Sequence, residues 1–120
     1  GRWQAERYGT VSRSKHLRGI AASPGVVRGK VRIIRGEHEF DALCADEILV
    51  SPYTNPSWTP LFATASAVVT ETGGVSSHAA IVAREYGIPA VMAVPGVTRI
   101  LKDGQEVLVD GNKGVVHRRQ

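Results

Sequence analysis

The 120-residue chain has a single cysteine and no long apolar run, and each shortage excludes a class of protein. With Cys44 alone, no disulfide can form within the chain, which suits a reducing compartment and leads us to expect a cytoplasmic protein. No run approaches the roughly 18 consecutive apolar residues of a transmembrane helix. The composition, 42% hydrophobic and 22% charged, is typical of one small globular domain.

Aromatic residues are also scarce, at 6% of the chain, and they are not interleaved with a basic face. The net charge of +4 arises in residues 1–18, which hold five basic residues and one acidic residue, whereas residues 19–120 hold ten of each. A nucleic-acid-binding surface is therefore not expected. Because residues 1–18 are polar and lack a periodic pattern, we predict a linker or N-terminal arm there and a folded domain over residues 19–120.

Short strands separated by short helices are predicted for most of the domain. Apolar and charged residues alternate from Val27 to Ile33, a period of two that predicts a half-buried strand. The pattern alone favours a mixed α/β fold or a mostly-β sandwich. Further strands are predicted at 47–50, 66–70 and 90–94, short helices at 37–44, 61–65 and 98–102, and a closing hairpin at 105–118.

The segment TETGGVSSHAAIVAREYGIPAV, residues 70–91, carries the strongest functional signal. A β-branched strand ends at the pair Gly73-Gly74, which allows the backbone to turn and to approach a ligand closely. Two serines follow, and a helix rich in alanine is predicted over Ala79–Tyr86. His78 is thereby placed on the first turn of that helix.

The first turn of a helix is a favourable place for a phosphoryl group. Unpaired N–H groups and the positive end of the helix dipole face outward there and stabilise an anion by roughly 0.3–1 kcal/mol. A neutral imidazole at His78 can attack phosphorus and carry the group covalently. The plainer alternative is a histidine that only satisfies a backbone partner. Ser76 and Ser77 are either simple helix N-caps or donors to phosphoryl oxygens, and the two roles are compatible.

The motif GGVSSHAAI at 73–81, followed by GIPAV at 87–91, resembles the swivelling phosphohistidine domain of enzymes that use phosphoenolpyruvate (PEP). That family includes PEP synthase, pyruvate phosphate dikinase and rifampicin phosphotransferase. The entry segment GIAASPG at 19–25 and the exit KDGQEVLVDG at 102–111 are also similar to the family. Three matching segments in the right order extend the resemblance over about residues 19 to 118.

The resemblance implies a fold, a function and partners. The fold is an α/β single domain of the compact β/β/α swivelling type. The function is that of a phosphotransferase domain that shuttles a phosphoryl group on His78, with Gly73, Gly74, Ser76 and Ser77 positioning it. The partners implied are an ATP-grasp nucleotide-binding domain and a domain holding PEP, pyruvate or another acceptor, in cis or as separate subunits. No cofactor is implied in this domain, while Mg²⁺ and ATP would be held by the partners.

Two departures from the family pattern bear on the reaction. The dikinases usually carry an arginine just before the glycine pair and often a basic or bulky residue just after it, where this chain has Thr72 and Val75. The loss of positive charge favours members with other acceptors over a standard pyruvate dikinase. It also keeps open an alternative function, a non-catalytic swivelling module that binds a partner and is not phosphorylated.

Two further residues are candidate docking contacts. Arg84 lies six residues after His78, on a different face of an ideal helix, so direct phosphate contact from the same face is not expected. A salt bridge or docking contact with another domain and a catalytic role are both open for it. Trp58, among three prolines, is either a core residue or a docking anchor. The other histidines, 16, 38 and 117, have no ligand-like spacing, so no metal site is expected.

Overall fold

The computed structural model describes residues 16–118, which form one eight-stranded mixed sheet with the strand order β1-β8-β7-β3-β4-β5-β6-β2. The strands are β1 (His16–Arg18), β2 (Ile20–Ser23), β3 (Val26–Ile33), β4 (Ile48–Ser51), β5 (Ala67–Thr70), β6 (Ala90–Met92), β7 (Glu106–Asp110) and β8 (Val115–Arg118). The α-helices of the described part are α1 (Thr59–Thr64), α2 (His78–Tyr86) and α3 (Val97–Ile100), and 3₁₀ turns cover Glu37–Ala42 and Pro56–Trp58. The mixed α/β class and the closing β7–β8 hairpin predicted from the sequence are confirmed.

Strand β3 joins the two halves of the sheet. Its first part, Val26–Lys30, pairs antiparallel with β7, and its second part, Val31–Ile33, pairs parallel with β4. Beyond β4 the strands β5 and β6 continue in parallel, and β2 closes that edge antiparallel to β6. Because parallel strands end at one edge of a sheet, β4 and β5 deliver the loops that follow them to the same side.

The core has two apolar clusters, one on each side of the parallel strands. Every residue of β4, β5 and β6 is buried, as expected for parallel strands covered on both faces. One cluster packs α1 and α2 against the sheet and includes Trp58, Phe62 and Met92. The other cluster lies where the two halves of the sheet face each other and includes Val31 and Val109. The candidate histidine therefore begins a helix that is held by the first cluster.

An ion pair fixes the turn before β4. The Arg32 guanidinium donates to the Glu47 carboxylate through Nε at 3.1 Å and Nη2 at 3.0 Å, and Cys44 N–H donates to the same carboxylate at 2.9 Å. The hydrogen bonds from Arg32 lower the pKa of the Glu47 carboxyl, and burial opposes this shift only partly. The pair thus links β3 to the segment that leads into β4.

The predicted boundary of the N-terminal arm is wrong at residues 16 to 18. These residues form β1, which pairs with β8, and Leu17 is only 6% exposed because its side chain enters the second cluster. The reason could not be read locally, since the pairing joins residues about 100 positions apart in the chain. Residues 1–15, the rest of the predicted arm, lie outside the described residues. Within residues 16–118, no helix has the length and apolar character needed to cross a bilayer.

Candidate functional site

The N-terminus of α2 is built by a serine cap. Ser77 has an extended backbone, with φ −72° and ψ 161°, and its Oγ accepts from Ala80 N–H at 3.4 Å. The same hydroxyl donates to the Gly74 carbonyl at 2.7 Å, which closes the loop onto the helix. Ser77 is therefore the N-cap, and the helix begins at His78, one residue before the predicted start, which leaves His78 on the first turn as predicted.

The two glycines before the cap differ in what they allow. Gly73 has φ +108°, a backbone conformation that L-residues rarely adopt, and an added Cβ there would lie 3.2 Å from the Ser77 Oγ. An added Cβ at Gly74 would meet nothing within 4 Å, and Gly74 is not among the glycines with positive φ. The glycine required by backbone geometry is thus Gly73 rather than Gly74.

The His78 imidazole is half-buried and held by groups from α1. Its Nε2 lies 3.2 Å from Thr59 Oγ1, and its ring meets the Phe62 ring edge-on, with centroids 6.2 Å apart. Its Nδ1 is buried and has no hydrogen-bond partner among the described residues. Nε2 is therefore the ring nitrogen that an external phosphorus atom can reach.

The Thr59 hydroxyl has two competing partners. It lies 2.9 Å from the Pro56 carbonyl and 3.2 Å from the His78 Nε2. When the hydroxyl donates to Pro56, its oxygen accepts from a protonated Nε2; when it turns to the imidazole, it donates to the Nε2 lone pair. The proton position on His78 is therefore coupled to the orientation of one hydroxyl. The sequence offered no sign of this contact beyond a threonine in a proline-rich loop.

A small cavity of about 90 Å³ adjoins His78, between the ends of β4 and β5 and the start of α2. Its wall is rich in hydroxyl groups, and among residues 16–118 neither a lysine nor an arginine lines it. The nearby helix N-terminus favours an anion in this space by up to about 1 kcal/mol. The lining residues are Thr54, Thr70, Thr72, Gly73, Ser77, His78 and Ala79.

The remaining predicted site residues lie apart from this cavity. Ser76 is exposed and does not line it. Arg84 donates from Nη1 to the Ala22 carbonyl at 2.7 Å and from Nη2 to the Val75 carbonyl at 2.9 Å. Its guanidinium thus ties α2 to β2 and to the loop before the helix, and a docking role for it stays a prediction. Trp58 is 1% exposed, so a docking role is wrong for it in this fold.

Trp58 is a core residue because aromatic neighbours cover it. Its ring lies 5.1 Å from the Phe40 ring and 5.8 Å from the Tyr53 ring, measured between centroids. These contacts anchor the loop that carries Thr54 and Thr59 to the site. The tryptophan therefore supports the site from beneath rather than contacting a partner.

Comparisons with known proteins agree with this geometry. The profile of the family described as "PEP-utilising enzyme, mobile domain" matches residues 43–114. The chain is 50% identical over 101 residues to an uncharacterised phosphotransferase of Bacillus subtilis, covering 84% of this chain and 12% of that protein. It is 44% identical over 98 residues to rifampicin phosphotransferase of Bacillus subtilis, covering 82% of this chain and 11% of that protein.

A solved structure also matches. The solution structure of an Enzyme I protein superposes with a TM-score of 0.59 at 33% sequence identity, covering 67% of this chain and 33% of that chain. The predicted swivelling-domain fold is confirmed by this match together with the family profile. The chain spans only 3% to 16% of the length of the curated relatives that it matches, so these relatives hold this domain among others. The chain belongs to the family of mobile domains of PEP-utilising enzymes.

Proposed function

We propose that the chain is a phosphoryl carrier and that His78 is the residue that becomes phosphorylated. The observation that carries the proposal is the placement of an imidazole on the first residue of α2, beside a cavity lined with hydroxyls. Family membership supports it, since the relatives named above are phosphotransferases. We extend their phosphotransferase chemistry to this chain because the family match, over residues 43–114, includes His78.

The proposed chemistry follows from the two ring nitrogens. Nδ1 is buried, which leaves Nε2 as the nucleophile; its lone pair attacks phosphorus in line with the leaving oxygen, and this attack requires the tautomer that carries the proton on Nδ1. The N–P bond forms as the P–O bond breaks, and the electron pair of the P–O bond departs with the leaving oxygen. The hydrogen bond between Nε2 and the Thr59 hydroxyl must break at this step, because the hydroxyl proton and the phosphorus atom cannot share the Nε2 lone pair. The second transfer reverses these roles towards the acceptor.

Partner domains must supply what this domain lacks. In the described part of the chain neither lysine nor arginine lines the cavity, and a phosphoryl group undergoing transfer carries negative charge on three oxygens. We propose that an ATP-grasp domain with Mg²⁺ and ATP serves one transfer and that a domain for PEP, pyruvate or another acceptor serves the other. Thr72 and Val75 stand where the dikinases usually have an arginine and often a basic or bulky residue, and this difference favours an acceptor other than pyruvate. We place the enzyme in the cytoplasm, which agrees with an exposed free thiol at Cys44.

The test is direct phosphorylation of the chain within its full-length protein. The protein is incubated with Mg²⁺ and either PEP or ATP labelled with ³²P in every transferable phosphoryl group, and the label is followed through acid and base. We expect label that is lost in acid and kept in base, as a phosphoramidate requires. The variant His78→Ala should take up no label and melt within a few degrees of the wild type. The matched control His38→Ala, at an exposed histidine remote in sequence, should label normally.

The absence of lysine and arginine from the cavity wall formed by residues 16–118 favours one other function, a swivelling module that binds a partner without being phosphorylated. The same experiment separates the two functions. Label retained by His78→Ala, label stable in acid, or no label from any donor would contradict the carrier function. The last of these results would favour the binding module.

A further inference from the structure

Two histidines that are far apart in the sequence face each other at the edge of the sheet. His16 on β1 and His117 on β8 are directly opposite in the antiparallel register. Their Nδ1 atoms are 2.7 Å apart, and their rings meet edge-on with centroids separated by 4.6 Å. The side chains lie in an exposed setting, away from the His78 cavity. The prediction from sequence spacing, that these histidines have no ligand-like relation, missed this pairing.

The separation of the two nitrogens matches a chelate. At 2.7 Å one imidazole donates its Nδ1 proton and the other accepts it, so at least one ring is neutral. With metal–nitrogen bonds of about 2.05 Å, two nitrogens bound at a right angle are about 2.9 Å apart, and two at the tetrahedral angle about 3.3 Å. The distance between the two nitrogens therefore has to increase less to bind a square-planar or octahedral ion than to bind a tetrahedral one.

We propose that His16 and His117 form a bidentate site for a divalent transition-metal ion of the Ni²⁺ or Cu²⁺ class. Imidazole nitrogen suits these ions, and a right angle between ligands is their usual geometry. On binding, the donor imidazole moves its proton from Nδ1 to Nε2, so a neutral pair presents two lone pairs and releases no proton. Within residues 16–118 no group of three or more potential ligands from His, Cys, Asp or Glu is assembled, so the described part of the chain supplies these two imidazoles as ligands.

The site has a structural consequence for the start of the domain. Within residues 16–118, β1 comprises three residues and pairs with β8 alone, at the edge of the sheet. A metal ion that bridges the two strands holds β1 to β8, the first described strand to the last. An ion that binds only the folded state stabilises it in proportion to the logarithm of its concentration above the dissociation constant.

The experiment measures the melting temperature of the 120-residue chain, free of any affinity tag, with Ni²⁺, with Mg²⁺ and without metal. Ni²⁺ is the probe because Cu²⁺ would oxidise the exposed Cys44 thiol. At ten times the dissociation constant, Ni²⁺ should raise the melting temperature by about 5 °C or more. Mg²⁺, which prefers oxygen ligands, should not. Isothermal titration should give one ion per chain.

Variants locate the ion. His16→Gln and His117→Gln should each abolish the Ni²⁺ shift and weaken binding at least tenfold, while folding without metal is retained. His38→Gln removes another exposed histidine and should leave the shift unchanged. An equal shift in His16→Gln, or no shift and no heat of binding in the wild type, would overturn the proposal.

Discussion

Gly73 is the position near the site where one added methyl group should cost most. Its φ of +108° lies in the region that favours glycine, and an added Cβ would lie 3.2 Å from Ser77 Oγ and 3.3 Å from Met92 Sδ. The neighbouring Gly74 offers open space around an added Cβ. Gly73→Ala and Gly74→Ala therefore form a perturbation and its matched control, one residue apart in the same loop.

The expected magnitude for Gly73→Ala comes from two terms. Holding a non-glycine residue at this φ costs about 1–3 kcal/mol. The close contact also presses on Ser77, whose hydroxyl caps α2, and a disturbed cap costs about 0.5–2 kcal/mol. We expect a total loss of about 2–4 kcal/mol in the free energy of unfolding. Gly74→Ala should stay within about 1 kcal/mol of the wild type, because it adds no contact and restricts only the unfolded chain.

Urea denaturation and thermal melting of the three proteins measure the difference. Gly73→Ala should melt at least about 8 °C below the wild type, since 1 kcal/mol corresponds to roughly 4–8 °C for a domain of this size. Gly74→Ala should melt close to the wild type. Equal melting temperatures for the two variants would refute the argument from backbone geometry. A normal melting temperature with reduced phosphorylation in Gly74→Val would instead show that the phosphoryl group approaches Gly74.

Three further predictions concern contacts around the site and the core. Thr59→Val should speed phosphorylation of His78 by up to about fivefold, because it removes a contact worth near 1 kcal/mol that must open before Nε2 attacks, and ¹⁵N chemical shifts of the imidazole should show a changed tautomer ratio; an unchanged ratio would contradict the role of the hydroxyl. Glu47→Gln should lower the free energy of unfolding by about 1–3 kcal/mol at pH 7. Because Arg32 lowers the pKa of the Glu47 carboxyl, this stabilisation is present above about pH 5 and is lost as acid protonates the carboxylate. The difference in free energy of unfolding between the wild type and Glu47→Gln, measured by urea titrations at several pH values, should therefore shrink below about pH 4. A difference that stays constant with pH would refute this. Arg84→Met and Arg84→Lys should both lower the free energy of unfolding, measured by urea denaturation, by about 1–2 kcal/mol. The lysine variant should not rescue stability, because an ammonium does not reproduce the planar guanidinium that donates to two carbonyls. Full stability of Arg84→Lys would contradict this role of the guanidinium.

Local features of the fold and the site were readable from the sequence. The helix that begins at His78 follows from a serine cap, a run of good helix formers and a closing glycine, and Gly87 indeed ends it with φ +71°. The strand periods likewise predicted β3 and the final hairpin. These features depend on residues within a few positions of one another, so spacing and residue type are sufficient to predict them. The phosphohistidine candidate belongs to this class.

Contacts between distant segments were decided only by the tertiary structure. The Thr59 hydroxyl meets His78 because α1 packs beside α2. Leu17 becomes a core residue, and His16 meets His117, because β1 pairs with a strand about 100 residues away. No local pattern encodes such pairings, since they depend on how the sheet closes and which faces the core then buries. The motif likewise showed that a glycine pair precedes the helix, but only the folded backbone shows that Gly73 is the one with positive φ.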